Sequence, residues 1–161
     1  MKKYLVVGAL LLVVQLLNFG CASHYLKGVT PEGVKAYLGP ASIQDTEAYK
    51  TFLNGSRSEA AKFDYLLERI KAAQDLEYYH EGNRHNWLEA YRAGTWLLRH
   101  HYEPGQDARD FVHKEVLLYQ TPGKPTAIKF PDGSIHIAYY ILLNELDLLD
   151  ETLQKTSGSK T

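Results

Sequence analysis

Tyr78-Tyr79-His80-Glu81-Gly82-Asn83-Arg84-His85 (YYHEGNRH) decides how the chain is read. As a helix it would resemble a zinc-protease motif, in which two histidines four residues apart face one metal and a glutamate between them acts as base. His80 and His85 are five apart, which on a helix of 3.6 residues per turn rotates their side chains away from each other. Gly82-Asn83 is poor helix material and good turn material. The stretch therefore reads as a β-hairpin with its turn at Gly82-Asn83, pairing Glu81 with Arg84 and His80 with His85. In that hairpin the two histidines, with a third ligand from His136, Glu77 or the His100-His101 doublet, are the candidate metal site. The leading reading is a turn whose histidines are solvated or hydrogen-bonded, with the metal site as the alternative.

Outward from the hairpin, helical signals lie on both sides. Ser56-Arg57-Ser58-Glu59 has the spacing of a capping box. It is followed by apolar residues at three-four spacing, Ala60, Phe63, Leu66, Leu67, Ile70 and Ala73, with Lys62, Asp64, Glu68, Arg69 and Lys71 opposite. Asn86, with Glu89 three residues on, caps a second helix to about Tyr102, and Pro104-Gly105 stops it. Asp107 opens a third, in which Phe111, Val112, Val116 and Tyr119 share a face and His113-Lys114-Glu115 forms a solvated one. Thr126–Phe130 and Ile135–Ile137 read as strands around the turn Pro131-Asp132-Gly133. A last helix runs from Ala138 to about Leu153. Its stripe is Tyr139, Leu142, Leu146, Leu149 and Leu153, widened by Ile141 and Leu148, and Glu145, Asp147, Asp150 and Glu151 fill the rest.

The plan helix, hairpin, helix thus occurs twice. Placing Gly82 over Gly133 also superposes His85 on His136, which suggests an αββα internal repeat. Because an isolated hairpin is marginal in water, the two are expected to join into one small antiparallel sheet. The expected fold is α+β, two short hairpins packed on about four helices over residues 58–153. Residues 154–161, QKTSGSKT, read as a disordered polar tail.

The N-terminus carries an address. Lys2 and Lys3 precede the apolar run Leu5–Leu17, which is shorter than the roughly 20 residues a bilayer span needs and matches the apolar region of a secretory signal. Cys21, the only cysteine, follows at the place of a lipoprotein lipobox, with Gly20 before it. Residues 1–20 then form the signal and Cys21 the lipidation site; cleavage after Ala22 is the alternative. Residues 21–57, in which Gly28, Pro31, Gly33, Gly39 and Pro40 recur, read as a tether with possible short helices. Such a length of chain reaches several nanometres from a membrane.

A single cysteine excludes an internal disulfide. Removing Lys2 and Lys3 takes the formal charge from −1 to −3, which leaves no electrostatic footprint for nucleic acid. Neither a Gly-x-Ser-x-Gly elbow nor a glycine-rich phosphate loop is present. Tyr78, Tyr79, Trp87 and Trp96 supply a candidate partner surface, since tyrosine and tryptophan dominate recognition sites, though part of this aromatic group is expected in the core.

Asp110-Phe111-Val112, Gly123-Lys124-Pro125, Ile128 and Asp132-Gly133 ahead of an amphipathic helix, with the aromatic strand, glycine turn and helix of Tyr78–Leu98, resemble a family of small exported bacterial proteins catalogued as a domain of unknown function. The resemblance spans roughly residues 58–153. It implies an envelope location and offers no catalytic residue. At the first turn the family has Arg-Asn-Gly where this chain has Glu81-Gly82-Asn83.

The expectation is therefore an exported, lipid-anchored envelope protein with a non-enzymatic binding domain and no cofactor. Its partners are the membrane, through the lipid, and an envelope protein or component, with a homo-oligomer also open. Ala22 lacks the aspartate associated with inner-membrane retention, which favours the periplasmic face of the outer membrane. The alternative is a small metal-dependent hydrolase using the hairpin histidines.

Overall fold

A computed structural model describes residues 25–118 and 120–158. The signal, Cys21 and Tyr119 lie outside the described residues. Five α-helices occur in them: α1 (Glu47–Asn54), α2 (Glu59–Ala72), α3 (Trp87–His101), α4 (Ala108–Val112) and α5 (Ala138–Gly158). Four strands, β1 (Glu77–His80), β2 (Asn83–His85), β3 (Ala127–Lys129) and β4 (Ile135–Ile137), form one antiparallel sheet in the order β2-β1-β3-β4. The fold is α+β, as the periodicities predict.

The hairpin at YYHEGNRH is real, and its turn sits one residue earlier than expected. Glu81 and Gly82 occupy it with φ of 51° and 83°. Two successive positive φ angles suit the twist of a two-residue hairpin, and glycine takes the second without strain. The observed pairs are Tyr78–His85, Tyr79–Arg84 and His80–Asn83. His80 and His85 are therefore diagonal rather than opposite. The shift leaves Arg84 within reach of Glu77, 3.1 Å away on the other face.

β1 pairs with β3 at the centre of the sheet, Tyr78 opposite Ile128, so the two hairpins meet by their first strands. Gly82 and Gly133 share the left-handed backbone, and α3 and α5 each begin five residues past them. The halves follow one plan and differ in packing. Along α5, nine residues are buried, whereas α3 buries none.

Local capping explains the helix starts. Asn86 accepts from Leu88 N and Glu89 N while Glu89 Oε2 accepts from Asn86 N, a complete capping box. At α2 the cap is Ser58 instead of Ser56. Glu59, freed from the expected box, accepts from Ala108 N at 2.9 Å and ties the start of α4 to α2. Aromatic edges continue that junction, Phe63 lying 4.8 Å from Phe111 and 5.0 Å from Tyr102 between ring centres. α5 runs to Gly158, so residues 154–158 are helical rather than a disordered tail. Thr156 and Ser157 bond back to the carbonyls four residues earlier, which gives polar side chains a place on a helix surface.

The largest correction concerns the tether. From Tyr25 onward the chain belongs to the domain. Leu26 exchanges hydrogen bonds with Ile135 O and Ile137 N and covers the β4 edge. Leu38 and Ile43 are buried in the same core as α2 and α5. Asn144 Nδ2 donates to Gly28 O at 2.7 Å and to Ala36 O at 3.0 Å. Leu38 N donates to Glu145 Oε1 at 2.6 Å. The strap is mostly exposed, and where Gly28 and Leu38 are buried two side chains of α5 satisfy backbone groups that would otherwise lack partners. Glu145, expected on the solvent side, is fully buried and receives a bidentate pair of bonds from Arg69, 2.8 and 3.0 Å, and one from Tyr65 Oη, 3.0 Å.

His136 is buried on β4 with its ring edge against Phe130 and its Nδ1 unpaired. Burial lowers its pKa below the usual 6.5, opposed by the Asp132 carboxylate. The unfolded chain then binds the proton more readily than the folded one, so this group takes stability away as pH falls below about 6.5. Urea unfolding at pH 7.5 and 5.5 is expected to show a larger loss in the wild type than in His136→Leu. Equal losses would remove His136 as a cause.

Candidate functional site

A cleft of about 900 Å³ opens between α3, the core-facing side of the sheet and the segment after α4. On its other side α3 lies against α2. At Gly94 an added Cβ would stand 2.8 Å from Leu67 Cδ2, so the leucine tip would have to turn aside for any larger residue there. Toward the sheet, α3 presents Ala90, Ala93, Leu97 and His101, the three-four spacing of one helix face. Small side chains there leave the space that α5 fills on its own side. Ile128, Ala138 and Leu142 complete an apolar floor.

The opposite wall is a π-helical stretch, His113–Leu118, continuing α4. Its wider turn brings three consecutive residues, Lys114, Glu115 and Val116, to the cleft. Glu115, expected on a solvated face, is instead buried, with its side chain 2% exposed. Its Oε2 is 2.6 Å from His101 Nδ1. Its Oε1 has no hydrogen-bond partner, and Lys114 Nζ stands 3.9 Å from it, outside hydrogen-bonding distance. At the mouth, Trp96 is 52% exposed and stacks on His100 at 4.5 Å, with His101 edge-on at 5.2 Å.

The sequence-predicted residues are dispersed. His80 and His85 both line the cleft, yet His80 Nδ1 is bonded to Thr126 Oγ1 at 3.0 Å and His85 Nδ1 faces Glu89 at 3.7 Å. His136 lies in the core. Among the described residues no three His, Cys, Asp or Glu side chains are grouped to hold a metal. The hairpin histidines are therefore not grouped with a third ligand, as the metal alternative required. Diagonal register and separate hydrogen-bond partners keep them apart.

The aromatic group divides. Tyr78 is buried, not a partner surface, and its hydroxyl is unpaired; burial raises its pKa far above the ordinary phenol value. Tyr79 is half-buried and donates to Glu77 Oε2 at 2.8 Å. Trp87 packs against the core, and Trp96 alone of the four is exposed.

Sequence reasoning missed Glu115 and His101 as a pair. They are fourteen residues apart and meet only because the π-helical stretch turns Glu115 inward.

No protein-family model matches the chain, and comparisons with curated proteins and with solved structures find no significant match.

Proposed function

We propose that the chain is an exported envelope protein, anchored through lipid on Cys21, whose domain binds a small amphiphilic ligand in the cleft of α3 and the sheet. The observation that carries the binding reading is the cleft itself. Its size falls within the roughly 300–1,000 Å³ of small-molecule sites, and its walls are apolar with a few convergent polar groups. Buried polar atoms without partners, Glu115 Oε1 and Tyr78 Oη on residues of its wall, add to that support, since such atoms are uncommon in finished cores. The apolar run Leu5–Leu17 ahead of Cys21, and the likeness to small exported proteins, support the location. No described helix is long and apolar enough to cross a membrane.

The strap shortens the free tether. With Leu26 on the sheet edge, only a few residues separate Cys21 from the folded domain, and the cleft would be held close to the membrane.

The test is titration of the purified protein with N-phenyl-1-naphthylamine, an uncharged dye that brightens in apolar surroundings. Saturable binding is expected, reduced at least tenfold in Ala93→Trp, which fills the cleft from α3. Binding that Ala93→Trp leaves intact would place the dye elsewhere and defeat the reading. Intact mass of the same protein from the cell reports the acyl groups on Cys21, and their absence would defeat the anchor.

A further inference from the structure

We infer that the cleft is selective for a hydrophobic cation, an alkyl chain or apolar ring system ending in an ammonium group, with the ammonium seated at Glu115 and the apolar body along α3. The inference rests on the binding reading above and adds the charge of the ligand. Its structural basis is the buried carboxylate whose Oε1 lacks a hydrogen-bond donor in the wall of an apolar cleft.

Three features agree on the sign. First, the ionisable groups lining the cleft are three carboxylates, Glu89, Glu103 and Glu115, against one ammonium, Lys114, with the histidines counted as neutral. Second, Glu115 is the carboxylate of that set withdrawn from water, and charge interactions strengthen where water is excluded. One of its oxygens is occupied by His101; the other has only the distant, half-exposed Lys114. Oε1 is itself withdrawn from water, so an ammonium in the cleft is drawn to Glu115 by charge and completes that oxygen only as the side chain adjusts, whereas a ligand carboxylate only accepts and would face Glu115 with like charge. Third, the mouth carries Trp96, an exposed indole of the kind that attracts cations over its face. From there the apolar wall of Ala93, Leu97, Ile128 and Leu142 continues inward.

The experiment compares decylammonium with decanoate below their micellar concentrations, each displacing N-phenyl-1-naphthylamine from the protein at low ionic strength. The chains are matched, so the difference reads the head group. Decylammonium is expected to displace the dye at a concentration at least tenfold lower. In Glu115→Gln that preference is expected to fall to threefold or less. In Lys114→Gln, which removes the neighbouring cation and does not depend on altering a buried residue, decylammonium is expected to bind at least twofold more tightly.

Equal or tighter binding of decanoate would overturn the cationic assignment and leave the cleft as a binding site. A preference that survives Glu115→Gln, or a Lys114→Gln protein that binds decylammonium no better, would overturn the role of Glu115. Failure of the dye and both amphiphiles to bind would overturn this inference together with the binding reading.

Discussion

Arg69→Met is expected to cost about 3–5 kcal/mol of unfolding free energy, the range found when one partner of a buried ion pair is removed. Arg69 is 3% exposed and Glu145 is 0% exposed, so neither charge can turn to water. Without the guanidinium, Glu145 keeps its bonds from Tyr65 Oη and Leu38 N but holds its charge in the core with no cation beside it. Arg69 Nη2 also donates to Pro40 O at 3.1 Å, so the strap loses that tie and, of its bonds to this pair, keeps only the one from Leu38. Its loss should be visible as early exchange of strap amides. Pairing the change with Glu145→Gln separates the causes. The amide oxygen still accepts from the strap or from Tyr65, and no charge remains, so Arg69→Met/Glu145→Gln is expected to regain about 1–2 kcal/mol over the single variant. Urea unfolding of the three proteins decides it. A single variant within 1 kcal/mol of wild type, or a double variant less stable than the single, would show that the pair is not what fixes the strap.

That network marks the boundary of what the sequence discloses. The hairpins, the single sheet and the helix starts at Asn86 and Asp107 are governed by neighbouring residues, so spacing and cap chemistry reveal them. Glu145 and Arg69 stand at positions that helical periodicity assigns to solvent. They are buried because a third segment, residues 25–43, lies over them and brings carbonyl and amide groups that need polar partners. Nothing within a window of one helix carries that information. The same holds for the cleft. His101 and Glu115 each look like surface residues of a polar helix end, and their meeting depends on a π-helical turn. Periodicity at 3.6 residues cannot register such a turn, because it changes the phase of the residues after it. The metal alternative loses its geometry for a related reason. Spacing correctly places His80 and His85 in one hairpin, but the one-residue shift of the turn and their partners Thr126 and Glu89 are tertiary facts.

Gly28→Val is the sharper test of the strap as part of the fold, expected to cost about 3 kcal/mol or more. Two effects combine. Gly28 has φ of +71°, where a β-branched residue is strained by roughly 1–2 kcal/mol. A Cβ built there would also stand 2.9 Å from Tyr140 Cβ and from Asn144 Nδ2, and 3.1 Å from Tyr140 O. Tyr140 Cβ and O cannot retreat without moving α5, and Asn144 Nδ2 could turn away only by giving up its bonds to Gly28 O and Ala36 O. Gly33→Val supplies the control, since Gly33 has φ of +83° in the same strap and nothing within 4 Å of its Cβ position. It carries the backbone strain without the collision, and its cost is expected to stay near 1–2 kcal/mol. The difference between the two variants in urea unfolding therefore reads the contact between strap and α5. If the strap were a tether resting loosely on the domain, both substitutions would cost little and alike, for a free chain would relax around either. An excess for Gly28→Val of 1 kcal/mol or more requires the strap to be held against α5 in the folded state. The bonds from Asn144 to Gly28 O and Ala36 O already imply that fixed position. With the strap fixed, the proposed lipid on Cys21 would set where the cleft stands above the membrane.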